Sequence, residues 1–435
     1  VRPSSYIEIS NFYTATIYEK GAEIVRMIHT LIGERKFRLG MDLYFDRHDG
    51  QAVRIEEFLA AMEDASAVDL TTFKPWYEEK GTPTVEVETE YDGQRQVYKI
   101  KFKQLSGSGQ IKENYQNRLM PIRLGLLDLT GKNLLTAENW QSKEGESILI
   151  TISETEETFE FPNIASKPIP SILRGFSAPV TLSVKYESAE LAHLAKYDSD
   201  HFNRWDAGQT LITRTILKGI EDFKTAGDLK FEHHIKSVFE SILEKSAQDP
   251  ALAAEMMLLP TTNHIAEQTN RCDPEAIFLV RLKLRNFIVT EVKSLLETTL
   301  YNYKEKSLCE SDPATAGHRA LKNTCLGYLL ELQDETIFDY CLSQLQNCKN
   351  MTDEIAALSG LSNFDCPQRR IALSLFYDKW ASEELVLDKW FAVQALSRLP
   401  GTISDVGSLL GHKDFSLRNP NKVRALIGSF CHGNH

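Results

Sequence analysis

The apolar residues of this chain change their spacing twice. Up to about residue 80 they recur at helical intervals, as in Ile17, Ile24, Val25, Ile28, Leu31 and Ile32. From Thr82 to about Glu187 they alternate with polar residues, as in TVEVETEY and QVYKIKFKQL, and from Ser188 onward the helical spacing returns. A period near 3.6 places one apolar stripe on a helix, whereas a period of 2 places one apolar face on a strand. The expected fold class is therefore multidomain α+β, with domains at 1–81, 82–187 and 188–435. The length of 435 residues agrees, since it accommodates about three domains with separate cores.

Within the first block, a helix opens near Asn11 and Gly33 breaks it. A second, KFRLGMDLYFDRH, stops near Asp49-Gly50, and a third, RIEEFLAAMEDAS, turns Leu59 and Met62 inward. LTTFKPWYEEKG reads as a fourth helix, with Gly81 as its C′ residue ahead of Pro83. In the middle block, Asp92-Gly93 between two alternating runs signals a hairpin in which Gly93 takes the positive φ of a tight turn. PIRLGLLDL, SILITI, ETFEFPNI and PVTLSVKYE continue the pattern, so a small antiparallel β-sandwich of roughly seven strands is expected. The last block holds amphipathic segments joined by short polar turns. They include AIFLVRLKLRNFIVTEVKSLLETTLYNY, which reads as one long helix, and a solenoid-like stack of helix pairs is the expected packing.

The formal net charge is −12 and no basic block occurs, which argues against a nucleic-acid partner. No apolar run approaches the length of a membrane span. Seven cysteines are scattered through the second half without a C-x-x-C pair, a usage that fits a reducing, cytoplasmic setting and mostly buried thiols. The chain begins at Val1 and ends in SFCHGNH without a helix cap, as a piece of something larger would.

Metal ligation finds little support in the pattern. The string H-E-x-x-H does not occur, and His233 and His234 are adjacent, so on a helix they project about 100° apart. His48 closes a helix, where the dipole favours a cation, and His432 and His435 belong to a tail. SGSGQ, at 106–110, lacks the Lys-Ser/Thr of a phosphate loop. Tyr13 and Tyr18, five residues apart on one helix, would face directions about 140° apart. Periodicity alone makes Tyr18 a core or interface residue.

NFYTATIYEKGAEIVRMIH and the residues after it, to DAS at 64–66, resemble the region following the zinc site in the bacterial aminopeptidase N family, the alanyl-aminopeptidase type of zinc metallopeptidase. WYEEKGTPTVEV is similar to that family's crossover into a small β-sandwich. DPALAAEMMLLP, NMTDEIAALSG, DKWFAVQA and NPNKVRALIGSF resemble landmarks of its helical C-terminal domain. The resemblance covers essentially the whole chain. It implies the helical end of a thermolysin-like domain, then a β-sandwich, then an α-helical superhelical domain. It also implies an enzyme that removes N-terminal residues from peptides with one zinc ion, held by an H-E-x-x-H motif and a downstream Glu. Tyr18 matches the tyrosine that donates to the oxyanion of the tetrahedral intermediate. Tyr13 matches a wall of the pocket for the first side chain, and Arg424 matches an arginine facing the internal cavity. The zinc ligands, the general base and the amine-binding strand would all precede Val1, so no metal ligand is assigned in this chain. Alone it is expected to be inactive. A missing N-terminal half is one implied partner, and a non-catalytic helical scaffold derived from such an enzyme is the alternative. A chain of this kind should expose apolar side chains between residues 11 and 45.

Overall fold

The structure, a computed structural model, describes residues 5–106, 117–135, 143–144, 147–225, 229–304 and 312–434. Most of the SGSGQ segment, Cys309 and His435 lie outside the described residues. The backbone divides into two compact units, residues 1–207 and 208–435.

The first unit begins with a 3-10 turn, Ile9–Phe12, and a π-helical turn, Thr16–Lys20. Helices α1 (Gly21–Ile32), α2 (Glu34–His48), α3 (Ile55–Ser66) and α4 (Pro75–Glu78) follow. Gly33, at φ +79°, ends α1 as its sequence position predicts. Leu59 and Met62 are buried, again as the spacing predicts. Helices α2 and α3 approach closely because residue 40 has no side chain: a Cβ there would lie 2.5 Å from Met62 Sδ and 3.3 Å from Met62 Cα.

The fourth predicted helix is shorter than expected. A 3-10 turn, Thr71–Phe73, precedes the single turn of α4, because Pro75 has no N–H with which to continue the preceding turn. Glu79 caps α4, so Gly81 is not its C′ residue; at φ +89° it turns the chain toward the first strand.

Among the described residues the sandwich contains eight strands: β1 (Thr84–Asp92), β2 (Val97–Leu105), β3 (Met120–Leu127), β4 (Lys143–Glu144), β5 (Ser147–Ile152), β6 (Glu156–Phe161), β7 (Ile169–Ile172) and β8 (Thr181–Val184). They form two four-stranded sheets, ordered β6-β2-β1-β8 and β4-β5-β3-β7. The pairings are antiparallel except one: β8 runs parallel to β1, with Thr84 opposite Thr181 and Val87 opposite Val184. The Thr181 N–H donates to Pro83 O immediately before β1, so both strands start at the same end of the sheet. The expected β1–β2 hairpin is present, but its turn differs from the one expected. Asp92 pairs with Val97, leaving a four-residue loop. Asp92 Oδ1 accepts from the Gln94 and Arg95 N–H groups, and the positive φ falls on Gln96 at 53°, not on Gly93.

One apolar core runs through this unit, from Ile24 and Ile28 of α1 through Trp76 to Val85, Ile122 and Phe161 of the two sheets. Fully buried Trp76 donates from Nε1 to Leu119 O at 3.0 Å, and Arg118 stacks over its ring. Arg174 is a buried guanidinium inside the sandwich. It lies in the space left by Gly125, where a Cβ would meet its Cζ at 2.4 Å, and pairs with buried Asp198 at 2.8 Å. Two further helices, α5 (Ser188–Tyr197) and α6 (His201–Thr225), carry the chain into the second unit.

The second unit is helical: α7 (His233–Lys245), α8 (Pro250–Met256), α9 (Thr262–Glu267), α10 (Pro274–Glu291), α11 (Lys293–Tyr303), α12 (Pro313–Leu329), α13 (Glu335–Asn347) and α14 (Met351–Leu361). Then come α15 (Pro367–Trp380), α16 (Glu384–Ala395), α17 (Thr402–Leu409), α18 (Pro420–Val423) and α19 (Ser429–Gly433). Helices α8, α10 and α12 share one start signal, an Asp-Pro pair. Asp249, Asp273 and Asp312 accept from N–H groups of the first turn, while proline takes the position whose N–H would be orphaned anyway. The expected single helix over 276–303 is two, broken at Val292 (φ −121°, ψ 23°). Ile288, Val289, Thr290 and Val292 crowd β-branched side chains there, and their restricted χ1 weakens helix continuation. Gly317 lets α12 rest on α8, since a Cβ would stand 3.1 Å from Ala251 N.

Cys325, Cys341 and Cys366 are buried thiols, Cys348 is half-buried, and Cys272 and Cys431 are exposed. No described helix is long and apolar enough to cross a membrane.

Candidate functional site

The sequence places Tyr13 and Tyr18 on one helix, facing different ways. The structure corrects this. Tyr13 precedes the helix, at φ −90° and ψ 62° just after the 3-10 turn, and Tyr18 sits inside the π-helical turn. Thr14 starts that turn: its carbonyl accepts from the Ile17 and Tyr18 N–H groups, each at 3.0 Å. Because Tyr13 is in the pre-helical bend, the chain folds it back over Tyr18. The rings stack with centroids 6.1 Å apart and planes 25° from parallel.

Both rings face outward, with Tyr13 66% and Tyr18 58% exposed. Neither is core filler. Tyr6, Ile7, Ile9, Leu39 and Phe45 are also exposed between residues 6 and 45, while α1 keeps Ile24, Met27, Ile28 and Ile32 buried. The π turn is anchored from behind by Lys20, whose Nζ donates to Gly81 O at 2.8 Å. Burial, and then the charge of Arg118, pull this ammonium below its usual pKa range. A phenol in this setting can donate one hydrogen bond to an oxygen on the open side.

Arg424 belongs to the second unit, where it opens a second π-helical turn, Arg424–Gly428. It is exposed and donates weakly to Asn421 Oδ1 at 3.4 Å. No carboxylate pairs with it among the described residues. Single π turns recur at functional positions, and nothing in either local sequence announces them.

The histidines follow their sequence reading. His233 is exposed, His234 half-buried, and His48 closes α2. Among the described residues, no group of three or more His, Cys, Asp or Glu side chains is placed to hold a metal ion. The described side chains therefore do not form the ligand set of a catalytic zinc.

The recesses lined by described residues of the second unit include a smaller and a larger one. The smaller, about 220 Å³, is lined by the buried ion pair Lys322–Asp353 (2.7 Å) together with Tyr340, Gln344 and Asn350. The larger, about 370 Å³, is lined by Arg281, Arg285, Arg398 and Glu331, and Arg285 and Arg398 pair with the Glu331 carboxylate. The sequence reading did not mark these arginines, although R-L-K-L-R at 281–285 puts two of them on one helical face.

A short helical end, a β-sandwich and a long helical unit, with two outward tyrosines at the start, define a modular α+β architecture. Residues 1–77 match the Peptidase family M1 domain, residues 81–185 a domain of unknown function (DUF3458) with an Ig-like fold, and residues 188–435 a domain of unknown function (DUF3458_C) made of ARM repeats. Along its whole length the chain is 37% identical to aminopeptidase N of Escherichia coli and 37% identical to aminopeptidase N of Caulobacter vibrioides, covering 49% of each. The crystal structure of Legionella pneumophila aminopeptidase A in complex with aspartic acid superposes with a TM-score of 0.85 at 31% identity. That match takes in 99% of this chain and 49% of that one. The chain belongs to the DUF3458_C family, whose model spans residues 188–435, and is similar over its whole length to a C-terminal portion of bacterial aminopeptidase N. It spans about half the length of the curated relatives it matches.

Proposed function

We infer that this chain is part of a zinc-dependent aminopeptidase that releases N-terminal amino acids from peptides, and that by itself it is inactive. The observation carrying this reading is the similarity to aminopeptidase N over the entire chain, in a sequence that contains no H-E-x-x-H. In the assembled enzyme the Tyr18 hydroxyl would donate to the scissile carbonyl oxygen as negative charge builds there. A neutral phenol can do so without surrendering its proton. Tyr13, stacked on it, would wall the pocket for the first side chain, where an aromatic face suits apolar residues. Arg424, exposed and without a carboxylate partner among the described residues, would meet peptide carbonyl or carboxylate oxygens.

The three modules of this reading are 1–81, 82–187 and 188–435, acting in the cytoplasm on peptides rather than on nucleic acids or membranes. The partner is the segment that carries the zinc ligands, general base and amine-binding strand. The isolated chain is expected to bind no stoichiometric zinc and to release nothing from alanine p-nitroanilide. Adding the zinc-binding segment should restore turnover. Stoichiometric zinc with turnover in the isolated chain would overturn the inactivity, and no turnover after recombination would favour a non-catalytic scaffold.

A further inference from the structure

The larger recess of the second unit has an unbalanced charge. Its charged lining is Arg281, Arg285, Arg398 and Glu331, three guanidiniums against one carboxylate. This excess of positive charge sits in a chain whose formal net charge is −12, so it is not part of a general basic surface.

Glu331 is fully engaged. It is 6% exposed and takes a two-pronged pair from Arg398, Nη1 to Oε1 at 3.0 Å and Nη2 to Oε2 at 2.7 Å. Arg285 brings Nε to 2.7 Å from Oε1 without an aligned hydrogen bond, and its guanidinium lies over the Tyr328 ring at 4.4 Å. Gly327 leaves room for that group, since a Cβ would stand 3.2 Å from its Nη2.

Arg281 has no carboxylate partner among the described residues. It donates from Nε to Pro260 O at 2.9 Å and from Nη1 to Thr262 Oγ1 at 3.2 Å, two of a guanidinium's five N–H donors. It stands four residues before Arg285 on α10, so like charges share one helical face. Burial and the neighbouring Arg285 both work against its charged form. Arg281 is half-buried at the recess wall, and an anion entering there would offset both effects. Leu259, Phe278, Leu282, Leu330 and Phe364 make the rest of the wall mostly apolar, with Ser359 and Asn363 as its uncharged polar side chains.

We propose that this recess binds a carboxylate carried on a short apolar body, the guanidinium of Arg281 receiving the carboxylate and the leucine and phenylalanine side chains receiving the body. Arginine forks match carboxylates in two-pronged geometry, and apolar pockets with a few convergent polar groups are the usual form of small-molecule sites. The volume of about 370 Å³ suits a ligand of dipeptide size. The site lies wholly within residues 259–398 and does not rest on the peptidase reading.

Titration calorimetry on the 435-residue chain with N-acetyl-leucyl-leucine and with its carboxamide tests this. The acid is expected to bind and the amide to bind about tenfold more weakly, the loss expected for one charged hydrogen-bonded partner. This comparison uses the unaltered chain, so it stands even if a variant misfolds. Arg281→Met, checked for an unchanged far-ultraviolet spectrum, should bring the acid down to the level of the amide. Equal affinity for acid and amide would overturn the proposal, as would no binding of either at millimolar concentration or undiminished discrimination in a folded Arg281→Met chain.

Discussion

The ring of Tyr13 stacks on the ring of Tyr18, 6.1 Å between centroids and 25° from parallel, although the two residues do not share a helix. The stack leaves the Tyr18 hydroxyl on an exposed ring. Tyr18→Phe keeps the ring and removes only the hydroxyl. Its unfolding free energy should therefore stay within about 0.5 kcal/mol of the parent by urea titration. In the enzyme completed by its zinc-binding segment, kcat should fall by about 10²–10³ with little change in KM, because an oxyanion donor acts where charge develops. A proportional rise in KM at constant kcat would assign Tyr18 to ground-state binding instead.

Gly40 sets the separation of α2 and α3. Gly40→Val would drive a side chain into Met62, so a loss of about 1–3 kcal/mol is expected in the urea unfolding free energy of the first unit. Gly407, within α17, faces open space: a Cβ there would meet nothing within 4 Å, and its φ is not positive. Gly407→Val is the matched control and should be neutral or stabilising by less than about 1 kcal/mol. Equal effects at both positions would show that helix propensity, not the close approach, governs Gly40.

Arg174 and Asp198 are both buried, and burial raises the Asp198 pKa while the charge of Arg174 opposes that rise. Arg174→Met strands the carboxylate, and a buried charge deprived of its partner costs about 3–5 kcal/mol. The double change Arg174→Met with Asp198→Leu removes the stranded charge and should recover most of that loss. A double variant as unstable as the single one would place the cost in packing around Gly125 rather than in the unpaired carboxylate.

The two changes of hydrophobic period made the block order legible, because periodicity reports which face of an element is buried. Elements with a clean pattern, such as SILITI and the Leu59–Met62 face, lie where the pattern puts them. What escaped was set by other forces. The β7 segment IPSI is buried at every position and so shows no alternation. The break at Val292 follows from β-branched crowding inside an otherwise helical run. The stacking of Tyr13 on Tyr18 depends on a bend before a π turn, which no residue type marks. Resemblance singled out Tyr18, Tyr13 and Arg424 where spacing could not. Arg281 and Arg285 of the larger recess form an i, i+4 pair in the sequence, but Glu331, which Arg285 shares with Arg398, comes from a different helical segment.

His193 on α5 offers a pH test of the first unit. Its Nε2 is buried without a hydrogen-bond partner among the described residues, and its ring packs against Tyr197 at 4.8 Å. Burial pulls its pKa below the ordinary histidine range, offset in part by the Asp128 backbone and reinforced by Lys196. The unfolded chain therefore binds a proton at His193 more readily than the folded one. Stability supplied by the neutral ring is present above the unfolded pKa of about 6.5 and is lost as pH falls through the window between that value and the lower folded pKa. The thermal midpoint should drop more steeply below pH 6.5 in the parent than in His193→Gln, which cannot titrate. Parallel profiles for the two proteins across that window would mean that His193 takes up its proton as easily in the folded state as in the unfolded one.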